Sequence, residues 1–322
     1  MGMQKGNRLA RLLVAGIVAV LPWAAAAGVH DVRKATWNMQ GSGQGVKWAT
    51  SVENGLRAPD APDILAIQEG GAGPGRYAMD GGALSFIANR GVTPIAVPGS
   101  RASASPLILE GYTSADAPAV VAYRWTIRTR TQVLTYFVYG VHSNVLPSGG
   151  PGRVNLYLVS SQPADAVVLM AHPWRAQSPN LRPNFGIRVG SSFFFNIHSV
   201  SSAGAAADSV ARVRQIEDFV TTRGGLYDWA ALGDFNADPN VVETRMRQYA
   251  DTANIRLSHS CQVTQRSGGE LDYMVYRNNV QQPTAGPATS TSNAFRVPIQ
   301  NSDHYPVQFW QRSNDTASCN VM

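Results

Sequence analysis

Six short motifs carry the residues able to do chemistry. They are Asn38 in TWNMQGS, Glu69 in DILAIQEGG, His198 in FFFNIHS, Asp234 and Asn236 in LGDFNADP, Asp272 in ELDYMVY, and Asp303 with His304 in NSDHYPV. Taken singly, each has an ordinary structural explanation. An Asp after a strand is usually a turn former or helix cap, a lone His is usually structural, and Asn38 ahead of Gly41 suits an Asx turn. Taken together they point to one kind of reaction. Glu69, Asp234 and Asp303 are hard oxygen ligands suited to Mg²⁺, with Asn38 and Asn236 as neutral partners. His198 and His304 exchange protons near neutral pH. The chain has no H-E-x-x-H, no zinc-type Cys/His spacing, no G-x-S-x-G and no P-loop. Carboxylate, amide and imidazole without an activated serine or thiol suit metal-assisted hydrolysis of a phosphate ester.

Groups so far apart in sequence converge only if rigid elements present them. Strand-like runs bounded by turn residues recur at Asp63–Gln68, Val120–Trp125, Val133–Val141, Ala166–Met170, Ser192–His198, Trp229–Phe235, Leu271–Tyr276 and Tyr305–Trp310. Most of the motifs end such a run. The clearest helical pattern is Asp208–Arg223, where Val210, Val213, Ile216, Phe219 and Val220 recur at 3–4 spacing. Asp208 is the expected N-cap and Gly224–Gly225 the stop. Val154–Ser160 and Lys47–Leu56 are weaker helix candidates. The segments 145–152 and 173–185, rich in Pro, Gly, Asn and Arg, read as irregular loops. Strands with interspersed helices predict one α/β domain of packed layers, although 322 residues allow about two domains at ~150 residues each.

Hydrophobic residues are 44% and charged residues 15%, which excludes a disordered chain and a coiled coil. Residues 1–27 combine Lys5, Arg8 and Arg11, an apolar run Leu12–Leu21 and small residues Ala24–Ala27, the pattern of a secretory signal. That run is shorter than the ~20 residues of a spanning helix, so no stable membrane anchor is expected. Its removal takes away three basic and no acidic residues and lowers the net charge from +6 to +3. The cations are 24 Arg and only three Lys, at positions 5, 34 and 47. Export favours bridged thiols, so an internal Cys261–Cys319 bond is the first expectation and a bond from the tail cysteine to a partner protein the second.

In order, Asn, QE, a strand-ending IH, GDFN, LDY and SDH resemble the signature of the endonuclease/exonuclease/phosphatase superfamily, which includes deoxyribonuclease I. Within it the chain most resembles the active B subunits of cytolethal distending toxins, through ATWNMQGS, DILAIQEGGAGP, GRVNLYLVS, ADAVVLM, GIRVGSSFFFNIHSVSSAGA, GDFNADP, SGGELDY and SDHYPV. These span about residues 35 to 310. The resemblance implies a four-layer α/β sandwich, two packed mixed β-sheets flanked by helices, filling 28–312 with a polar tail at 313–322. It implies Mg²⁺ or another divalent cation, with Glu69 and Asp303 at the metal. Asp272 and His304 resemble the carboxylate–imidazole pair, His198 the second active-site histidine, and Asp234 with Asn236 the pair holding water and phosphate. Asn38 resembles the amide near metal and phosphate, Arg153 a phosphate-contacting arginine, and Arg128 or Arg130 another. In deoxyribonuclease I the second histidine has a glutamate partner; the matching stretch, Ala117–Trp125, holds no acid.

The function implied is a secreted, Mg²⁺-dependent endodeoxyribonuclease, the genotoxic component of a bacterial toxin acting on host DNA in the nucleus. Its partners would be DNA and lectin-like or ADP-ribosyltransferase-like delivery subunits. A phosphoinositide phosphatase uses the same constellation and stands as the alternative. A non-enzymatic subunit on a decayed nuclease scaffold is disfavoured, because no matched catalytic position is substituted. Trp48, Tyr77 and Trp174 read as packing residues, with base stacking the other option.

Overall fold

The computed structural model describes residues 28–29, 32–40, 44–80, 83–97, 107–142, 152–178, 181–224, 227–277, 292–294 and 302–309. The expected signal at 1–27, most of the 145–152 loop, Trp310 and the tail with Cys319 lie outside them. Cys261 is disulfide-bonded.

Two mixed sheets form the body. The first has eight strands in the order β16 (Ser292–Ala294), β17 (Val307–Phe309), β1 (Lys34–Asn38), β2 (Ile64–Gln68), β9 (Leu156–Ser160), β8 (Val133–His142), β7 (Ala119–Arg128) and β5 (Val92–Pro94). The second has seven: β14 (Arg256–Ser258), β15 (Asp272–Arg277), β13 (Asp228–Asp234), β12 (Ser192–His198), β11 (Asn184–Val189), β10 (Ala166–Met170) and β6 (Leu107–Glu110). A separate hairpin pairs β3 (Gly75–Asp80) with β4 (Ala83–Ala88).

The apolar strands are buried on both faces, which explains their near-continuous hydrophobic runs. Ile64, Ala66 and Leu158 of the first sheet pack against Leu169, Ile187, Phe194, Leu232 and Met274 of the second. In β12 the alternation sends Phe194 into that inter-sheet core, while Phe193, Phe195 and Ile197 face outward. They meet Val213, Ile216, Phe219 and Val220 of helix α3 (Ala205–Thr221). On the far side of the first sheet, α1 (Gln44–Lys47) runs through a π-helical turn, Trp48–Val52, into α2 (Glu53–Arg57). Trp48 and Leu56 from this segment pack on Trp37, Ile67, Trp125 and Tyr157. The expected sandwich, helix on sheet on sheet on helix, is present. Helix α4 (Pro239–Met246) is capped by Asp238, whose side chain accepts from Asn240 N and Val241 N.

Three local expectations are corrected. Residues 154–160 do not form a helix; β9 is an interior strand hydrogen-bonded to β2 and β8, and its five residues are all buried. A short apolar run carries no period strong enough to separate the two states, and the neighbouring strands decide. Asp208 is not an N-cap. Helix α3 begins at Ala205 behind Gly204, and Asp208 lies in its first turn, fully buried. The 173–185 loop ends earlier than expected, in β11 at Asn184. Trp48 is buried and its indole Nε1 donates to Gly70 O at 2.9 Å, so it packs and does not offer a stacking face.

A buried amide chain joins the two sheets beneath the motif residues. Asn196 Nδ2 donates to Ile67 O and Tyr157 O, each at 2.8 Å, and Asn196 Oδ1 accepts from Gln68 Nε2 at 2.7 Å. Such a chain is costly to leave unpaired and therefore holds the sheets at one offset.

Candidate active site

Strand register assembles the site. His198 lies opposite Asp234 on the parallel strands β12 and β13, and Asp234 lies opposite Asp272 on β15. One row across three strands thus carries three motif residues to the same sheet edge. In the other sheet Asn38 pairs with Gln68, and Glu69 follows immediately. Asn38 Nδ2 reaches across to donate to Asp234 Oδ2 at 2.8 Å, so the two edges meet. Gly233, before Asp234, lets β13 lie close against β12: a Cβ there would stand 1.9 Å from Ile197 O. Glu69 and Asn236 adopt left-handed backbone angles, φ 52° and 50°. That conformation costs a non-glycine residue about 1 kcal/mol or more and turns each side chain out of its strand's line.

His304 is clamped by Asp272, with Nδ1 2.7 Å from Oδ2. Its Nε2 faces Asp303 Oδ1 at 3.7 Å and Asp234 Oδ2 at 3.9 Å. Burial disfavours its charge, but the carboxylates of Asp272, Asp234 and Asp303 outweigh burial and raise its pKa to about 9. The pKa of Asp234 rises as well: burial first, then the charge of Asp272, push it up, against His304 and the hydrogen bonds from Asn38 and Asn236 N. His198 is buried, with Nε2 3.7 Å from Asp234 Oδ2 and 3.8 Å from Glu69 Oε1. Burial, then the cations Arg182 and Arg212, hold its pKa well below the usual histidine value, so the ring is neutral. Its Nδ1 has no hydrogen-bond partner among the described residues. The missing acidic partner noted in the sequence therefore corresponds to a neutral imidazole.

The remaining expected residues divide. Arg153 Nε and Nη2 converge on Glu69 Oε2 at 3.1 and 2.9 Å. Asn236 Nδ2 donates to Ser199 O at 2.9 Å, and its backbone N donates to Asp234 Oδ1 at 2.9 Å. Asp303 N donates to Gln40 Oε1 at 3.1 Å, and Ser302 Oγ donates to Asn38 O at 2.8 Å, tying the SDH motif to the first strand. Arg128 and Arg130 are not brought here. Arg128 ends β7 opposite Val133, nine register steps from the Ala119–His142 pair at the site end of the hairpin. At ~3.3 Å per residue that is about 30 Å away.

Two cations near the site escaped the sequence reading. The ammonium of Lys47 donates to Met39 O and feels the charges of Asp303 and Glu69. Arg182 Nη1 donates to Ser199 O at 3.1 Å and His198 O at 3.4 Å, and it feels the charges of Glu69 and Asp234. Nothing periodic marks Arg182 in its loop, and only tertiary folding lays it against the His198 strand end.

Asp234, Asp272 and His304 offer ligand atoms within 4.8 Å of one another. Asp272 Oδ1 and Asp303 Oδ1 are buried without a hydrogen-bond partner among the described residues. An oxygen-rich donor set with unsatisfied carboxylate oxygens fits a hard divalent cation.

The model of the Endonuclease/Exonuclease/phosphatase family matches residues 35–304. The B subunit of the Escherichia coli cytolethal distending toxin is 30% identical over 301 residues, covering 91% of this chain and 97% of that protein. A Salmonella typhi homolog of that toxin's B subunit is 29% identical over 291 residues, covering 90% and 93%. Among solved structures, a chain of the Haemophilus ducreyi cytolethal distending toxin matches with TM-score 0.68 at 27% identity, covering 88% of this chain and 99% of that one.

Proposed function

This chain belongs to the endonuclease/exonuclease/phosphatase family, and from that premise we propose that it is a secreted, Mg²⁺-dependent endodeoxyribonuclease. In this reading it is the genotoxic component of a bacterial cytolethal distending toxin. The observation that carries the proposal is the row His198–Asp234–Asp272 facing Glu69–Arg153. Residues 1–27 serve as the export signal and 28–312 as one nuclease domain. The substrate is host DNA, reached in the nucleus with the help of delivery subunits, lectin-like or ADP-ribosyltransferase-like.

A phosphodiester carries one negative charge and its transition state more, so the site must supply positive charge and move protons. Bound Mg²⁺ would neutralise phosphate charge and polarise the scissile phosphorus; Glu69 and Asp303 would hold it. Asp234, with its raised proton affinity and an oxygen positioned by Asn38, takes the proton from the attacking water. His304, protonated at neutral pH and oriented by Asp272, offers Nε2–H to a phosphate oxygen. His198, neutral, donates one N–H toward the departing oxygen. Arg153 and, in place of Arg128 or Arg130, Arg182 supply guanidinium charge at the rim.

The test is plasmid nicking by purified chain 28–322 with Mg²⁺ and with excess EDTA, beside phosphate release from phosphatidylinositol 3,4,5-trisphosphate. Mg²⁺-dependent nicking is the expected result. Undiminished nicking in EDTA would overturn the metal, and phosphate release without nicking would favour the phosphatase.

A further inference from the structure

Behind the catalytic row lies a buried charged group that the proposed chemistry does not use. Asp208 and Arg212, one turn apart on α3, are both fully buried and ion-paired, with Arg212 Nε 3.0 Å from Asp208 Oδ2. His172 Nε2 lies 2.6 Å from Asp208 Oδ1, and His172 Nδ1 accepts from Trp174 N at 2.9 Å. Those two contacts fix the ring's tautomer with its proton toward Asp208. Burying two charges this way contributes little net stability relative to apolar packing, so the arrangement calls for another role.

The hydrogen bonds leaving this pair close into a ring. From Asp208 Oδ2 the ring passes to Val200 N, which donates to it at 2.9 Å. Val200 follows Ser199 and His198, whose carbonyls accept from Arg182 Nη1. Arg182 O in turn accepts from Arg212 Nη2 at 3.0 Å, and Arg212 returns to Asp208. Arg212 Nη1 also donates to Asn184 Oδ1 at 2.8 Å, at the start of β11. One buried guanidinium thus grips the backbone of Arg182, while its partner carboxylate grips the backbone just beyond His198.

We propose that Asp208 and Arg212 are positioning residues, which touch no substrate and set the place of the Arg182 guanidinium relative to His198. The inference rests on the phosphodiester reading above. A loop arginine anchored only at its tip would wander, and displacements of about 1 Å can cost about 100-fold in rate. The planar fork of Arg212 joins Asp208 on its own helix to Arg182 O, Pro183 O and Asn184 Oδ1 on the 182–184 segment, a geometry lysine cannot reproduce.

The experiment is a double-mutant cycle between Arg212→Lys and Arg182→Ala, with melting curves recorded for each variant. Arg212→Lys keeps the buried charge opposite Asp208 and is expected to fold. It should lower kcat/KM for plasmid nicking about 10-fold while melting stays cooperative, as expected for a displaced guanidinium and not for lost structure. In the Arg182→Ala background the same substitution should have no further effect. Affinity for a short DNA duplex in EDTA, read by fluorescence anisotropy, should show the same coupling without cleavage. Should Arg212→Lys fail to melt cooperatively, Asn184→Ala, which leaves the Asp208–Arg212 pair intact, takes its place in the cycle. Multiplicative losses in the two backgrounds, or full activity of the replacement variants, would overturn the proposal, as would absence of DNA binding by the parent chain. Binding coupled as expected in a chain that nicks no DNA would count against the nuclease reading alone.

Discussion

His198 and Asp234 face each other across two parallel strands, Nε2 3.7 Å from Oδ2, and their protonation preferences are inverted. Burial and neighbouring cations keep the histidine neutral, while burial and Asp272 raise the proton affinity of the carboxyl. A carboxyl of raised proton affinity and an uncharged imidazole therefore stand side by side at one strand edge.

Removal of either group should stop turnover without unfolding the sandwich. His198→Ala and Asp234→Asn are each expected to lower the nicking rate by about 10²–10⁴-fold, the usual loss for a general acid or base. Plasmid nicking with circular dichroism on the same samples checks this. Activity near the parent level would exclude that residue from proton transfer.

Asp272→Asn removes the largest influence that raises the pKa of His304. Because the folded value, about 9, lies above the ordinary histidine range, the charge of His304 persists through neutral pH and is lost as pH rises through about 9. In the variant that loss should occur at lower pH. An imidazole NMR titration in EDTA reads it directly, and an unshifted His304 resonance would contradict the clamp.

Arg182→Ala and Arg128→Ala distinguish the site from the far end of the first sheet's long hairpin. The first should lower DNA nicking about 10-fold or more, as expected for a lost charge-assisted contact. The second removes an exposed side chain at the far end of β7 and should leave nicking unchanged. Equal effects would return the phosphate contact to the Arg128 end.

Asp208 makes acid stability measurable. Burial disfavours its charge, but the His172 hydrogen bond, the charge of Arg212 and the Val200 N–H lower its pKa to about 2. A depressed carboxylate stabilises the fold above its unfolded value near 4 and loses that contribution as pH falls through about 2. The contribution is about 2 kcal/mol. Asp208→Asn, which leaves Arg212 uncompensated, should cost about 3–5 kcal/mol at neutral pH and flatten the acid limb. Denaturant melts between pH 2 and 7 provide the check, and parallel curves for parent and variant would refute it.

The two lysines that remain beyond residue 27 are both buried, Lys34 at 2% and Lys47 at 3% exposure. An amine-reactive reagent should therefore leave both lysines of the native chain 28–322 unmodified and label them after denaturation. Mass spectrometry of the labelled chain decides, and rapid native labelling of Lys34 or Lys47 would be incompatible with this burial.

Much of the site is local in origin and so legible in the linear chain. The apolar run SFFFNIH needs a doubly buried strand, and a polar residue ending such a run emerges at a sheet edge. Residue type then restricts the chemistry, which is why Glu69, His198, Asp234, Asp272, Asp303 and His304 stand out from sequence alone. What the chain could not encode locally is direction and register. Arg128 and His142 belong to one hairpin, yet β7 carries Arg128 away from the site while β8 carries His142 toward it. Residues 154–160 become a strand because β2 and β8 flank them. The inverted protonation of His198 and Asp234 depends on burial and on Arg182, Arg212 and Asp272, none of them a sequence neighbour of either. Asp208, read in sequence as a cap, is drawn inward by partners at positions 172, 200 and 212. Electrostatic environment is a property of distances through space, and the tertiary fold alone sets those distances.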